Sequence, residues 1–196
     1  ELDNTVIIYS SDNGYFMGEH TFLDKRLAYE NSMRVPMLIR YPKLIKPNTI
    51  IKEQCLNIDM APTILNLAGI EKPDYMQGES MVNLLKGNKE DNWRKSMLFE
   101  YYLDTYWPYA GPNQIAVRTE NHKLVDAFLE NDIDELYDLK KDPGEMNNLI
   151  NNPEYDKIEK DLRNEATKLK KQYKYNPNRD WWLKEVIRSK RNNQKH

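Results

Sequence analysis

The run Thr5-Val6-Ile7-Ile8-Tyr9-Ser10, closed by Ser11-Asp12-Asn13-Gly14, constrains this chain more than any other segment. It is short, β-branched and continuously apolar before it turns polar. That is the pattern of a strand covered on both faces, as in the parallel sheet of an α/β protein. The four residues that close it carry turn chemistry. Asp12 and Asn13 therefore lie at the carboxyl end of a predicted buried strand, where open α/β sheets form their ligand crevices. A carboxylate beside an amide carbonyl offers hard oxygen donors, which suit calcium or magnesium better than zinc or copper. Taken alone, Asp-Asn-Gly is a turn; its meaning rests on the segments downstream of it.

Residues 15–33 are mixed and read as irregular, and residues 34–41 read as a second parallel-type strand with Pro36 near its start. A helix is predicted over 59–67, with Asp59 as its cap, Pro62 in its first turn and Gly69 as its stop. A short helix over 81–85 ends at Gly87. Strand patterns over 96–101, 114–118, 123–128 and 135–139, separated by turn-forming clusters, predict a small antiparallel sheet. Asn152 then caps a helix with Pro153 in its first position. Tyr155, Ile158, Leu162, Ala166, Leu169 and Tyr173 recur at spacings of three and four, so this helix buries one face against the sheet.

Bulk properties remove several function classes. The 29 basic and 31 acidic residues nearly balance, which argues against a nucleic-acid binder working through bulk charge. No run of about 18 apolar residues is present to span a membrane. Cys55 is the single cysteine, so an intramolecular disulfide and a multi-cysteine zinc site are excluded. The three histidines, His20, His122 and His196, form no H-E-x-x-H pattern. Basic residues dominate from Lys157 onward, and the end of the chain reads as a solvated tail.

The segments behind Asp12-Asn13 are Gly18-Glu19-His20, Asp24-Lys25-Arg26, Tyr29-Glu30 and Arg34-Val35-Pro36. Further on come Asp59-Met60-Ala61-Pro62-Thr63-Ile64-Leu65 with Gly69, Gly78-Glu79-Ser80 with Leu84-Leu85, and Val117-Arg118-Thr119 with Lys123. The series closes on Glu135-Leu136-Tyr137-Asp138-Leu139, Asp142-Pro143-Gly144-Glu145 and Asn148-Leu149. In this order they resemble the sulfatase family of the alkaline-phosphatase-like superfamily, over roughly residues 5 to 150.

The resemblance implies an α/β fold. Part of an alkaline-phosphatase-like mixed or parallel sheet with helices is followed by a small antiparallel sheet packed by a long helix. The corresponding domains are 1–95 (the C-terminal part of the catalytic domain), 96–176 (an α+β subdomain) and 177–196 (a basic tail). It also implies that Asp12 and Asn13 ligate a calcium ion and that Lys25 binds a sulfate oxygen. His20 is either a catalytic contact in the substrate pocket or a structural hydrogen-bonding group. Glu19, Tyr29, Glu30 and Arg34 are supporting residues, with Glu30 and Arg34 spaced to pair, and Cys55 is buried and inert. A sulfated small molecule or glycan is the expected substrate. Tyr101, Tyr102, Tyr106, Trp107 and Tyr109 form an aromatic cluster that either stacks on a sugar or packs in the core.

The departures are equally informative. Sulfatases make a formylglycine nucleophile within C/S-x-P/A-x-R, whereas Cys55-Leu56-Asn57-Ile58-Asp59 departs at both diagnostic places and no serine satisfies the pattern. The two further calcium aspartates, the pocket histidine, the second lysine and the arginine that family members carry upstream have no counterpart. The expectation is a piece of a sulfatase, inactive alone, that begins inside a domain. Some strand edges and faces are then left for another polypeptide or for oligomer contacts to cover. The family points to an exported protein. Two other readings stand beside it: a phosphonate or phosphate ester hydrolase of the same superfamily, and a non-catalytic binding module.

Overall fold

The computed structural model describes residues 1–102, 114–127 and 133–175. They divide into two compact units. One holds residues 1–25 and 30–97; the other holds 26–29 and the described residues from 98 onward. Tyr106, Trp107 and Tyr109 of the aromatic cluster, Phe128 and the basic tail 177–196 lie outside the described residues.

The first unit runs through β1 (Ile7–Ser10), β2 (Phe16–Met17), β3 (Leu23–Asp24), α1 (Glu30–Met33), β4 (Met37–Arg40), α2 (Met60–Leu67) and α3 (Val82–Leu85). Strands β1 and β4 pair antiparallel, from Ile7 opposite Arg40 to Ser10 opposite Met37. This corrects the parallel reading of these two strands. An apolar run reports that both faces of a strand are meant to be covered, and says nothing of its direction. In this chain one of those faces stays open: Tyr9 and Leu38, opposite each other in register, are 63% and 66% exposed. The 15–33 stretch also holds more order than its sequence suggests. β2 and β3 form a two-residue antiparallel ribbon around a 3-10 turn at Glu19–Thr21. The ribbon is pinned by the Gly18 N–H donating to the Phe22 carbonyl at 3.0 Å and by Phe16, which is fully buried.

Helix α2 begins where expected, after a 3-10 turn at Asn57–Asp59, and stops at Gly69, whose φ is +72°. Asp59, however, makes no side-chain cap. Its carboxylate, with no exposed surface, accepts from Arg94 Nη1 and Nη2 at 2.5 and 2.6 Å, from the Leu56 N–H at 2.7 Å and from the Glu79 N–H at 2.8 Å. A residue placed like a cap is thus an anchor joining three separate segments.

A four-stranded sheet of β5 (Ser96–Tyr101, in this unit from residue 98), β6 (Gln114–Thr119), β7 (His122–Ala127) and β8 (Glu135–Asp138), in that order, makes up the second unit with α4 (Asp156–Gln172). Register places Val117 opposite Leu124 and Leu124 opposite Leu136, one apolar row across three strands. That row packs against Tyr155, Leu162, Ala166 and Leu169 of the predicted stripe, with Ile158 and Tyr173 partly buried beside them. Each fully buried large side chain here contributes about 1.5–3 kcal/mol. Asn152 caps a 3-10 turn, Pro153–Tyr155, that leads into α4, its side chain accepting the Glu154 N–H at 3.1 Å. The opposite face of the sheet is met by the short segment 26–29: the Ala28 N–H donates to Gln114 Oε1 at 2.9 Å, and Tyr29 lies against Tyr137. On that face Lys123 and Glu145, both without exposed surface, form an ion pair. Among the described residues no helix is long and apolar enough to cross a membrane.

Candidate functional site

The loop leaving β1 is held in shape by its own polar groups. Asp12 Oδ1 accepts the Asn13 N–H at 2.9 Å and the Ser11 hydroxyl at 3.3 Å. These bonds favour the ionised form, so the Asp12 carboxyl lies below the usual carboxylate range. The Asn13 N–H is the largest cause, and the Ser11 hydroxyl and the Lys25 charge add to it. Gly14 explains the third letter of the motif. A Cβ there would collide with the Asn31 carbonyl, and the Gly14 N–H donates to the Ser32 carbonyl at 2.8 Å, so the loop lies directly on α1.

Lys25 arrives from the other side, directly after β3. Its Nζ donates to Asn13 Oδ1 at 3.1 Å, which brings three of the four candidate residues into one cluster. The ribbon that delivers Lys25 is locally strained: His20, Thr21, Asp24 and Arg26 all have positive φ, between 52° and 107°. Non-glycine residues held in this region cost free energy and persist where surrounding contacts over-determine them. His20 lies near the turn of this ribbon with its ring edge-on to Phe16 at 6.3 Å. Glu19 accepts the Met17 N–H at 2.6 Å, a bond within the ribbon. The Arg34 N–H donates to the Glu30 carbonyl at 2.8 Å, so these two residues are linked through the backbone of α1.

Asp12 and Asn13 present the hard oxygens a calcium or magnesium ion takes, and the lowered carboxyl of Asp12 keeps its donor charged. Among the described residues no three or more His, Cys, Asp or Glu side chains gather into a metal-holding group. Two donors are a fraction of the six to eight oxygens calcium uses. Sequence reasoning missed Asn57, whose Nδ2 donates to the Asp12 carbonyl at 2.8 Å across 45 positions of sequence. No local signal marks an asparagine for such a contact.

Cys55 lies two residues before Asn57 and is half-buried. Burial pushes its thiol up to about 11, and the negative charge of Asp59 adds to the rise. Such a thiol is almost wholly protonated at neutral pH and is a poor nucleophile. At pH 8 its thiolate fraction is about 100-fold below that of a thiol near 9, so alkylation by iodoacetamide is expected to be slower by about that factor. Labelling at the rate of free cysteine would contradict this environment.

The family described as N-sulphoglucosamine sulphohydrolase, C-terminal, matches residues 18–172. The chain belongs to the sulfatase family. An N-acetylglucosamine-6-O-sulfatase of Bacteroides thetaiotaomicron is 42% identical over 180 residues, covering 90% of this chain and 32% of that protein. A solved structure of a protein in complex with its substrate, D-glucosamine-2-N,6-O-disulfate, superposes with a TM-score of 0.83 at 40% identity. It covers 90% of this chain and 36% of that one. A phosphonate monoester hydrolase of Agrobacterium radiobacter has a TM-score of 0.74 at 25% identity, covering 87% of this chain and 36% of that one. The chain therefore spans about a third of the length of the curated sulfatases it matches. Its mixed α/β architecture, with the four-stranded sheet and long helix, is that of this family.

Proposed function

We propose that this chain is the C-terminal part of a sulfuric ester hydrolase that removes sulfate from the 6-position of an amino sugar. In this reading Asp12 and Asn13 supply two oxygens to a calcium ion, Lys25 grips the sulfate, and the nucleophile and remaining ligands come from outside the chain. The observation that carries it is the 3.1 Å contact between Lys25 Nζ and Asn13 Oδ1, beside the ionised Asp12. A sulfate ester needs its anion held and the charge on the departing oxygen stabilised, and a lysine beside hard-oxygen ligands does both. An ammonium carries three donors, so Lys25 can hold Asn13 and still reach a sulfate oxygen. A bound calcium ion would supply Lewis-acid polarisation of that sulfate. His20, near the turn of the same ribbon, is placed in this reading as a contact to the leaving sugar. The choice of sugar is supported by the name of the 42% identical relative.

Sulfate release from N-acetylglucosamine 6-sulfate by the full-length protein tests this directly, with calcium and after chelation. Turnover that falls at least about 100-fold on chelation is expected if the metal polarises the ester. The likeness to a phosphonate monoester hydrolase supports one other reading. Turnover of a phenyl phosphonate monoester without release of sulfate would replace the sulfatase reading with that one.

A further inference from the structure

Asp12 and Asn13 are joined by one rigid peptide plane, and the aim of both side chains depends on how that plane is turned. Its N–H end is fixed from within the loop, by the Asp12 carboxylate at 2.9 Å. Its carbonyl end is fixed from outside, by Asn57 Nδ2 at 2.8 Å. Asn57 is itself mounted on a stiff support. It opens the 3-10 turn Asn57–Asp59, whose Asp59 N–H donates to the Leu56 carbonyl at 2.9 Å. The Leu56 N–H in turn donates to Asp59 Oδ2 at 2.7 Å. Arg94 clamps the Asp59 carboxylate through two nitrogens and also donates to the Gln54 carbonyl at 3.1 Å, where Trp93 Nε1 joins it at 2.9 Å. The backbone on both sides of Asn57 is thereby held by one buried guanidinium–carboxylate pair, with the Arg94 side chain 11% and the Asp59 side chain 0% exposed.

From this geometry we infer that Asn57 is a positioning residue for the metal loop. Its amide sets the Asp12–Asn13 peptide plane so that both oxygens face one ion, and the Arg94–Asp59 pair holds Asn57 in place. The inference rests on the proposed role of Asp12 and Asn13 as calcium ligands. Residues that orient metal ligands typically change affinity by 10–100-fold when lost.

The test is calcium titration of the full-length protein by calorimetry, with wild type, Asp12→Ala, Asn57→Ala and Asn57→Asp, together with melting of each calcium-free form. Both Asn57 variants lack the donor, and the second keeps the size of the side chain. Each is expected to raise the calcium Kd about 10-fold. The calcium-free melting temperature should stay at the wild-type value, and turnover should be restored at saturating calcium. If Asp12→Ala binds calcium like wild type, the calcium reading itself fails, and this inference with it. If Asp12→Ala weakens binding while both Asn57 variants match wild type, only the positioning role is overturned. It is also overturned if Asn57→Asp alone behaves as wild type, since the donor then does not matter. A calcium-free melting point lowered in both variants with unchanged calcium Kd would reduce Asn57 to a general stabilising contact.

Discussion

Replacing Lys25 by alanine in the full-length protein should lower kcat/KM on a 6-O-sulfated amino sugar by about 100- to 1,000-fold, the usual cost of removing one preorganised donor from a developing anion. The physical basis is local. Lys25 is exposed and makes a single surface hydrogen bond, to Asn13, among the described residues, so its loss should leave stability almost unchanged. What it removes is a positive charge beside Asp12 and Asn13, which in the proposed reading faces the sulfate as its negative charge shifts in the transition state. The loss should fall mainly on kcat, because a lysine serving only ground-state binding would raise KM instead. Lys25→Arg keeps the charge and changes the donor geometry, so it should recover part of the activity and no more. A loss below about fivefold for Lys25→Ala would show that charge at this position is incidental to the chemistry.

Lys123→Met should destabilise the second unit by about 3–5 kcal/mol, read by urea unfolding. Lys123 and Glu145 both lack exposed surface, and removing the lysine takes the paired cation away from a buried carboxylate. The sheet offers no easy escape for that charge: Val125, the next β7 residue on the same face, is also buried, and Glu145 is held in a turn at φ +54°. Replacing both, as Lys123→Met with Glu145→Leu, removes the desolvated charges together and should recover most of the loss. A cost under about 1 kcal/mol for the single variant, or a double variant no better than the single, would contradict the pairing.

The parts of this fold legible in the sequence are those whose information is local and periodic. Strands β6 to β8 follow from short strand patterns separated by turn-forming clusters, and helix α4 from a spacing of three and four, with Asn152 capping the 3-10 turn that leads into it. The opening strand shows the limit of such patterns. Its apolar run reports burial yet leaves direction open, and β1 pairs antiparallel with β4. The β2–β3 ribbon is too short to carry a period and depends on positive φ at residues other than glycine. Asp59 reads as a cap because of where it stands, while its real partner, Arg94, lies 35 positions away. Within the candidate site, Asp12, Asn13 and Lys25 are legible as members of an ordered motif series, and the structure joins them through one contact. His20 belongs to the same series and stands near the turn of the ribbon, edge-on to Phe16. Asn57 is invisible in the sequence because its amide serves a carbonyl in another segment, and no composition or spacing encodes that.

The most direct measurement is a crystal structure of the full-length protein grown with calcium and a sulfated amino sugar. The expected result is an ion with an Asp12 carboxylate oxygen and Asn13 Oδ1 both at about 2.3–2.6 Å, the usual calcium–oxygen range, and Lys25 Nζ on a sulfate oxygen. An ion bound elsewhere, with Asp12 and Asn13 still turned to their own loop and Lys25 away from the sulfate, would contradict the central claim.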